Sequence, residues 1–343
     1  MTGDIKSKLA SSEAAESLEM EQFVANCFRA RSWPAQQGVY YSDLETRKER
    51  EIDVISRHIL NRPRRHRGSG SPEIHLSTIC ECKSLSEWSI LCRKGDMDWH
   101  ENRLREHWSG YEEHIMQLIG KVSTAAPFKN CNKTKLFEYF LGRAYPDERE
   151  LAYELCILQP PVDLIATAFR PTKGNSKERE GNNPFWSAIQ SLLSSTRAAE
   201  HRAVETMRSY TFDMNPLSDT ASELTKYLAF FFDEQLTRRA FFHPVICCKS
   251  RLFDMDDDFS EIGSARIFIR NIDFSYRYVD VVNFSKFDAY IETALASFEK
   301  QSYKSIRRTW DRLAALHWAP GQSSGELSHA LGLGTRRKLS KRQ

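Results

Sequence analysis

The sequence predicts an α/β or α+β domain built around a mixed β-sheet. An amphipathic helical pattern comes first, three short apolar runs with strand character follow it, and further helical and strand-like segments come after them. Because short connections join the first three runs, we expect them to pair as neighbours in one sheet. The later helices would then pack on the faces of that sheet.

The composition is that of a globular protein in solution. The chain has 343 residues, of which 41% are hydrophobic and 28% are charged, which suits one elaborated domain or two small ones. No apolar stretch approaches the ~20 residues that cross a bilayer, and the first residues lack the apolar core of a signal sequence. The eight cysteines form no Cys-x-x-Cys pair, which disfavours a zinc ribbon or a redox motif. We therefore expect a cytoplasmic protein with reduced thiols and no membrane contact.

Residues 11–31 have the pattern of an amphipathic helix. Ser11 or Ser12 can cap its start, acidic residues fill its first turns, and apolar residues recur at helical spacing. The helix ends at Trp33-Pro34, because the residue before a proline disfavours helical dihedrals. Three strands are predicted next, at Val39–Tyr41, Glu51–Ile59 and about Glu73–Leu85. A connector rich in Gly and Pro separates the second strand from the third.

The rest of the chain is predicted to complete this domain. In order, we expect a mainly helical insertion at about 90–180 with a strand candidate at Val162–Phe169, a long helix at Asn183–Arg208, strands at Phe241–Cys248, Ala265–Ile272 and Tyr276–Val282, and helices at Phe284–Phe298 and Tyr303–Trp318. The expected division is a flexible N-terminus at 1–10, one domain with its insertion at 11–300, and a C-terminal helix with a basic tail at 301–343.

Two acidic residues stand in or beside apolar strand segments. Asp53 lies at the centre of a predicted strand, and Glu81 follows the apolar run Ile74–Cys80. Burying a carboxylate is costly unless a positive group meets it, so acids in such positions usually have a specific role. Because strand side chains alternate, Glu81 and Lys83 face one way and the intervening Cys82 faces the other. If the two strands are neighbours, both carboxylates can meet one cation.

A divalent cation is the expected counter-charge. Mg²⁺ prefers oxygen ligands and keeps several waters, so the carboxylates of Asp53 and Glu81 with the main-chain carbonyl of Cys82 would suffice, and Mn²⁺ is a plausible substitute. Such an ion polarises a scissile phosphate and lowers the pKa of a bound water. Lys83 can orient that water or stabilise charge in the transition state. The pattern is typical of a metal-dependent phosphodiesterase.

The tripeptide Glu81-Cys82-Lys83 is not specific by itself. Asp4-Ile5-Lys6 also fits an acid-x-Lys pattern, and such matches arise by chance. Specificity comes from the apolar strand, the earlier strand with its central acid, and an N-terminal helix rich in Glu. The structural alternative is an ordinary strand-end salt bridge from the acids to Lys83 or to Arg50.

These features resemble the catalytic core of the PD-(D/E)XK, or restriction-endonuclease-like, nuclease superfamily over about residues 12–90. In that family, a helix with a Glu precedes strands that carry Asp and then Glu-x-Lys, in an αβββαβ core whose mixed sheet is flanked by helices. The resemblance implies that Asp53 and Glu81 are metal ligands and that Lys83 is the catalytic lysine. Ile52 stands where the family pattern has Pro, which leaves the metal argument intact.

The resemblance also implies a carboxylate on the first helix. Glu21 shares a helical face with Val24 and Phe28 and is the first choice. Glu19 is the second choice. Either residue can instead belong to the solvated surface of the helix.

Basic residues cluster in the connector between the second and third strands. Guanidinium groups bind phosphate oxygens well, so this cluster is a candidate grip for a nucleic-acid backbone. A solvent-exposed loop tip is the equal alternative. The residues concerned are Arg62, Arg64, Arg65 and Arg67.

The sequence therefore favours a Mg²⁺-dependent nuclease, an endonuclease that acts on DNA rather than on RNA. The resemblance implies settings such as restriction, defence against foreign DNA or repair, and a homodimer or an activating partner protein. One alternative is a catalytically inactive protein that keeps the nuclease fold as a nucleic-acid-binding or scaffold subunit. Another is a helical interaction protein with an accidental motif, in which Asp53 and Glu81 lie far apart.

Overall fold

The computed structural model describes residues 12–60, 73–94, 162–173, 183–212, 238–270, 276–294, 296–297 and 300. Most of the predicted helical insertion, the predicted helix Tyr303–Trp318 and the basic tail lie outside these residues. The fold is α+β with a mixed sheet, as the sequence predicted. None of the helices in the described ranges combines the length and the apolar character that crossing a bilayer requires.

Helices lie at the start, in the middle and near the end of the described chain. Helix α1 begins after Ser12, whose side chain accepts a hydrogen bond from the N–H of Ala15 (3.2 Å), so the capping prediction for Ser12 is confirmed. The helices are α1 (Glu13–Ala30), α2 (Pro184–Phe212) and α3 (287–294), the last preceded by one 3₁₀ turn at Phe284–Lys286. The predicted long helix from Asn183 corresponds to α2.

Eleven strands occur in the described residues. They are β1 (Ala35–Ser42), β2 (Glu49–Leu60), β3 (Glu73–Lys83), β4 (Ser89–Arg93), β5 (Leu164–Ala166), β6 (Ala168–Thr172), β7 (Arg238–Cys248), β8 (Arg251–Asp254), β9 (Ser260–Ile262), β10 (Ser264–Arg270) and β11 (Tyr276–Asn283). The third predicted strand therefore ends at Lys83 rather than at Leu85. The candidate strand in the predicted insertion is two strands, β5 and β6.

The main sheet has seven strands in the order β1-β2-β3-β7-β11-β10-β5. The first three are consecutive and antiparallel, whereas β7 lies beside β3 and runs parallel to it. The connection from β3 to β7 includes α2, which packs against both strands. Strands β6, β4, β8 and β9 form a second, smaller sheet.

Apolar side chains on the two faces of the main sheet form two separate cores. The α1 core contains Met20, Val24 and Phe28 of the helix packed on Leu76, Cys80 and Cys82 of β3. The α2 core contains Phe185, Ile189 and Leu192 packed on Ile79, Ile246 and Cys248. The sheet is thus the middle layer between two helices.

Candidate catalytic site

Strands β2 and β3 stop pairing at the level of the two predicted acids. Their last paired residues are Val54 and Cys80. Beyond this point, the Oδ2 atom of Asp53 accepts a hydrogen bond from the backbone N–H of Cys82 (2.7 Å). The carboxylate therefore takes the place of the main-chain acceptor that β2 no longer offers, and it is held at the point where the strands diverge.

Strand β2 also changes face at Asp53. Residues two apart on a regular strand share a face, but Ile52 lies in the α2 core and Val54 in the α1 core. On β1, the residue at the same level is Gly38, which has φ +60°. This left-handed dihedral favours glycine, and a Cβ there would lie 3.0 Å from Oε1 of Glu51. Gly38 thus permits the local irregularity that accompanies Asp53.

One ammonium group joins the two acids. The Nζ atom of Lys83 lies 2.9 Å from Oε1 of Glu81 and 3.7 Å from Oδ2 of Asp53. The exposed fraction of the side chain is 8% for Glu81, 16% for Asp53 and 31% for Lys83, so the lysine opens the group to solvent. The structure brings all three predicted residues together, and the wide separation that an accidental motif would give is not observed.

The charges of this group are strongly interdependent. Burial and the nearby charge of Asp53 together raise the pKa of Glu81 to about 7, although Lys83 opposes both effects. Burial acts to lower the pKa of Lys83, yet the charges of Glu81 and Asp53 hold that pKa above its usual value. Two carboxylates that share one ammonium have a deficit of positive charge, which an added cation would relieve.

The backbone of Cys82 is directed toward Asp53. In a strand, the N–H and the carbonyl of one residue lie on the same side, so the Cys82 carbonyl is on the side of Asp53 like its N–H. The neighbouring carbonyl of Lys83 faces β7, where it accepts a hydrogen bond from the N–H of Lys249 (3.2 Å). Burial raises the pKa of the Cys82 thiol well above its usual value, and its side chain packs in the α1 core. Cys82 thus offers its carbonyl, and not its sulfur, to an ion.

The first helix contributes Glu21 rather than Glu19. Glu21 is buried, and its Oε1 atom accepts a hydrogen bond from the hydroxyl of Ser17 (3.3 Å). Burial and the charge of Asp53 raise the pKa of Glu21, which places its carboxyl within electrostatic range of the acids. Glu19 is exposed.

The donors present suit a hard cation with a water-rich shell. Among the residues that the structure describes, no three His, Cys, Asp or Glu side chains gather closely enough to enclose an ion by themselves. Two carboxylates and one carbonyl, completed by water, are nevertheless a ligand set that Mg²⁺ accepts, because this ion keeps several waters. The residues therefore fit Mg²⁺ or Mn²⁺ better than they fit zinc, which prefers nitrogen and sulfur.

Sequence reasoning missed three residues beside this group. The carboxylate of Glu16 accepts hydrogen bonds from the hydroxyl of Ser84 and from the ammonium of Lys249. Ser84 directly follows β3, and Lys249 directly follows β7. A lysine after the apolar run ending at Cys248 was the available signal, but it matched no motif.

Two further expectations concern arginine residues near the predicted site. Arg50, the alternative partner for the acids, instead pairs with Asp43, its Nε atom lying 2.9 Å from Oδ2. The basic connector lies outside the described residues, so its role as a phosphate grip stays a prediction. It comprises Arg62, Arg64, Arg65 and Arg67.

The chain was compared with protein-family models, with curated proteins and with solved structures. None of the three comparisons gives a match. The interpretation of the site therefore depends on the geometry and chemistry of its own residues.

Proposed function

We propose that this chain is a Mg²⁺-dependent nuclease that hydrolyses phosphodiester bonds in DNA, acting as an endonuclease in restriction, defence or repair. The observation that carries the proposal is the contact of one lysine with two largely buried carboxylates. Lys83 joins Glu81 and Asp53 at the point where β2 and β3 separate. A structural salt bridge needs one acid for one base, whereas this group holds one more buried carboxylate than its single ammonium balances.

The order of the elements supports the proposal. Helix α1 precedes the antiparallel strands β1, β2 and β3; strands β4, β5 and β6 come next, and α2 then leads to β7, which is parallel to β3. With β4, β5 and β6 set aside as an insertion, this order agrees with the αβββαβ core that the sequence resemblance implies. It also brings the carboxyl ends of two parallel strands to one edge, where α/β sheets commonly bind ligands.

Each residue has a chemical task in the proposed reaction. The carboxylates of Asp53 and Glu81 and the carbonyl of Cys82 would hold the ion, which when bound polarises the phosphate and lowers the pKa of a water. The N–H of Cys82 fixes the Asp53 carboxylate, so its position does not depend on the ion. Lys83 keeps its proton at neutral pH, because its pKa is raised, and presents a positive charge to the phosphate oxygens. Glu21 adds negative charge on the α1 side.

A cleavage assay with the purified 343-residue chain tests the proposal. Supercoiled plasmid, linear duplex DNA, single-stranded DNA and RNA would each be incubated with Mg²⁺, Mn²⁺ or EDTA. We expect nicking or linearisation of the plasmid with either metal and no cleavage in EDTA. Asp53→Asn, Glu81→Gln and Lys83→Met should each lower the rate by roughly a hundredfold or more.

Glu19→Gln is the matched control, because it removes one exposed carboxylate from α1 and should cleave like the wild type. Full activity of Glu81→Gln would exclude the assigned site. A folded wild type that binds DNA but cleaves none of the substrates with either metal would favour the alternative, a nuclease-fold scaffold or binding subunit.

A further inference from the structure

The carboxyl ends of β3 and β7 each lead into a lysine. Lys83 is the last residue of β3, and Lys249 directly follows β7. Their backbones are joined, since the N–H of Lys249 donates to the carbonyl of Lys83 (3.2 Å). The two side chains extend toward opposite faces of the sheet. Lys83 pairs with Cys248, whose side chain lies in the α2 core, whereas the Lys249 ammonium contacts Glu16 on α1. A ligand that crosses this edge of the sheet would meet both ammonium groups.

The surroundings of Lys249 combine a cation, a hydroxyl and an aromatic surface. Its ammonium and the Ser84 hydroxyl both donate to the carboxylate of Glu16. The Lys249 and Glu16 side chains remain 29% and 38% exposed, so solvent and a polymer can reach them. The Lys249 ammonium also lies 5.8 Å from the ring centroid of Phe284. That ring packs on the partly exposed ring of Phe23, with the centroids 4.6 Å apart.

We propose that Lys249 and Ser84 bind a second phosphate of the polynucleotide. This phosphate is the neighbour, along the nucleic-acid strand, of the phosphate that Lys83 contacts. This inference rests on the proposed nuclease function and adds a binding position to it. Neighbouring strands of a sheet lie about 4.8 Å apart, so the two lysines start from adjacent points on one edge. A cation beside aromatic rings suits a nucleotide, because the phosphate meets the charge and the base can lie on the ring.

Glu16 acts as the internal substitute for that phosphate. In the free protein, its carboxylate accepts the hydrogen bonds of Lys249 and Ser84 that a phosphate oxygen would accept. Binding then exchanges one anion for another. Removing the charge of Glu16 should therefore strengthen the binding of nucleic acid, whereas a contact that only joins α1 to β7 would make the same change purely destabilising.

The other end of α1 supplies a matched control. Arg31 pairs with Asp288 there, its Nη1 atom lying 2.7 Å from Oδ1, and the pair joins α1 to α3. Asp288→Asn removes one negative charge from the protein, as Glu16→Gln does. Any difference in DNA affinity between the two variants therefore reflects where the charge was removed and not the change in net charge.

The experiment measures the affinity of the full chain for a short fluorescein-labelled single-stranded DNA by anisotropy, in EDTA and over a range of NaCl. We expect Glu16→Gln to raise the affinity at low salt by roughly twofold to fivefold, and Asp288→Asn to leave it unchanged. Lys249→Gln should lower the affinity and flatten the salt dependence. From about 50 to about 200 mM salt, the wild type should lose roughly threefold more affinity than this variant, which is the effect of one phosphate contact.

Further variants separate binding from folding. Lys249→Arg should restore the salt dependence, and Glu16→Gln/Lys249→Gln should bind like Lys249→Gln alone. The inference is overturned if the wild type cleaves DNA while Glu16→Gln and Lys249→Gln both bind like the wild type. If the wild type neither binds nor cleaves DNA, the proposed function itself fails.

Discussion

The carboxylate of Asp53 is hydrogen-bonded to the N–H of Cys82, the residue between Glu81 and Lys83, at 2.7 Å. The bond ties the acid of β2 to the backbone that carries the other two functional side chains. Asp53 is therefore both a candidate ligand and part of the local structure. These two roles can be separated by substitution, because an amide oxygen accepts the same hydrogen bond without the charge.

Asp53→Asn should fold with nearly the stability of the wild type, whereas Asp53→Ala should lose about 1–3 kcal/mol, because it removes the acceptor that Asp53 offers to the Cys82 N–H. Both variants should lose Mg²⁺-dependent cleavage. Urea unfolding in EDTA measures the stability difference. Equal stability of Asn and Ala variants would show that the hydrogen bond contributes nothing.

Glu81→Gln should change stability in a pH-dependent way when no metal is present. The pKa of Glu81 is raised to about 7 in the folded protein, above the usual value of 4.5 for a glutamic acid side chain. The folded state therefore favours the protonated form, so the cost of ionisation is absent below pH ~4.5, grows up to pH ~7 and is complete above it. We expect Glu81→Gln to be more stable than the wild type at pH 8 and no more stable at pH 4.5.

Thermal unfolding in EDTA at several pH values measures this effect, with Glu19→Gln as the control for one lost charge. Added Mg²⁺ should stabilise the wild type by mass action and stabilise Glu81→Gln much less. An advantage of Glu81→Gln that is independent of pH would contradict the assigned cause.

Glu21→Gln should impair cleavage, whereas Glu19→Gln should not. Glu21 is buried and its pKa responds to Asp53, so its charge acts on the site through a medium of low polarity. We expect the Mg²⁺ concentration for half-maximal cleavage to rise severalfold in Glu21→Gln. If the two variants behave alike, the helix carboxylate has no part in the reaction.

The regular parts of the site were predictable from the sequence. Strand alternation correctly placed Glu81 and Lys83 on one face and Cys82 on the other. The same rule fails at Asp53, because β2 changes face there between Ile52 and Val54. A glycine in β1 was the visible sign of an irregularity. The sequence does not show which residue of β2 lies opposite this glycine, because that depends on the register in which the two strands pair.

The contact between Glu16 and Lys249 was beyond sequence reasoning for a different reason. The two residues are 233 positions apart in the chain, and they meet only because β7 lies beside β3. The small second sheet was also missed, since β8 and β9 have 4 and 3 residues. Such short strands carry too few alternations to be recognised.

The buried ion pair of Arg266 and Asp280 should be essential for stability. Both side chains are fully buried, and the Nε and Nη2 atoms of Arg266 contact the two carboxylate oxygens at 2.6 and 2.7 Å. Asp280→Asn removes the charge that balances a buried guanidinium, which typically costs about 3–5 kcal/mol. Chemical denaturation measures the loss. Replacing both residues by apolar ones should cost less than the single change, and an equal or larger loss would contradict this reasoning.

His243 should make the stability of the protein fall in mild acid. Its Nε2 atom lies 2.7 Å from the hydroxyl of Tyr290, which donates to Oδ2 of Asp280 (2.6 Å), so Nε2 carries the proton. The other nitrogen, Nδ1, then accepts from the hydroxyl of Tyr278 (3.2 Å). This pattern of hydrogen bonds fits a neutral ring, and a second ring proton would require the Tyr278 hydroxyl to turn from donor to acceptor.

The pKa values give the sign and the pH range of this effect. Burial and the charge of Arg266, opposed by Asp280, together lower the pKa of His243 to about 4. Because the unfolded chain binds the proton near pH ~6.5, the stability contributed by the neutral ring is complete above that pH and is lost as the pH falls toward 4. His243→Gln should be less stable than the wild type at pH 7 but should lose less stability between pH 6.5 and 4. Parallel slopes for His243→Gln and the wild type would refute the assignment.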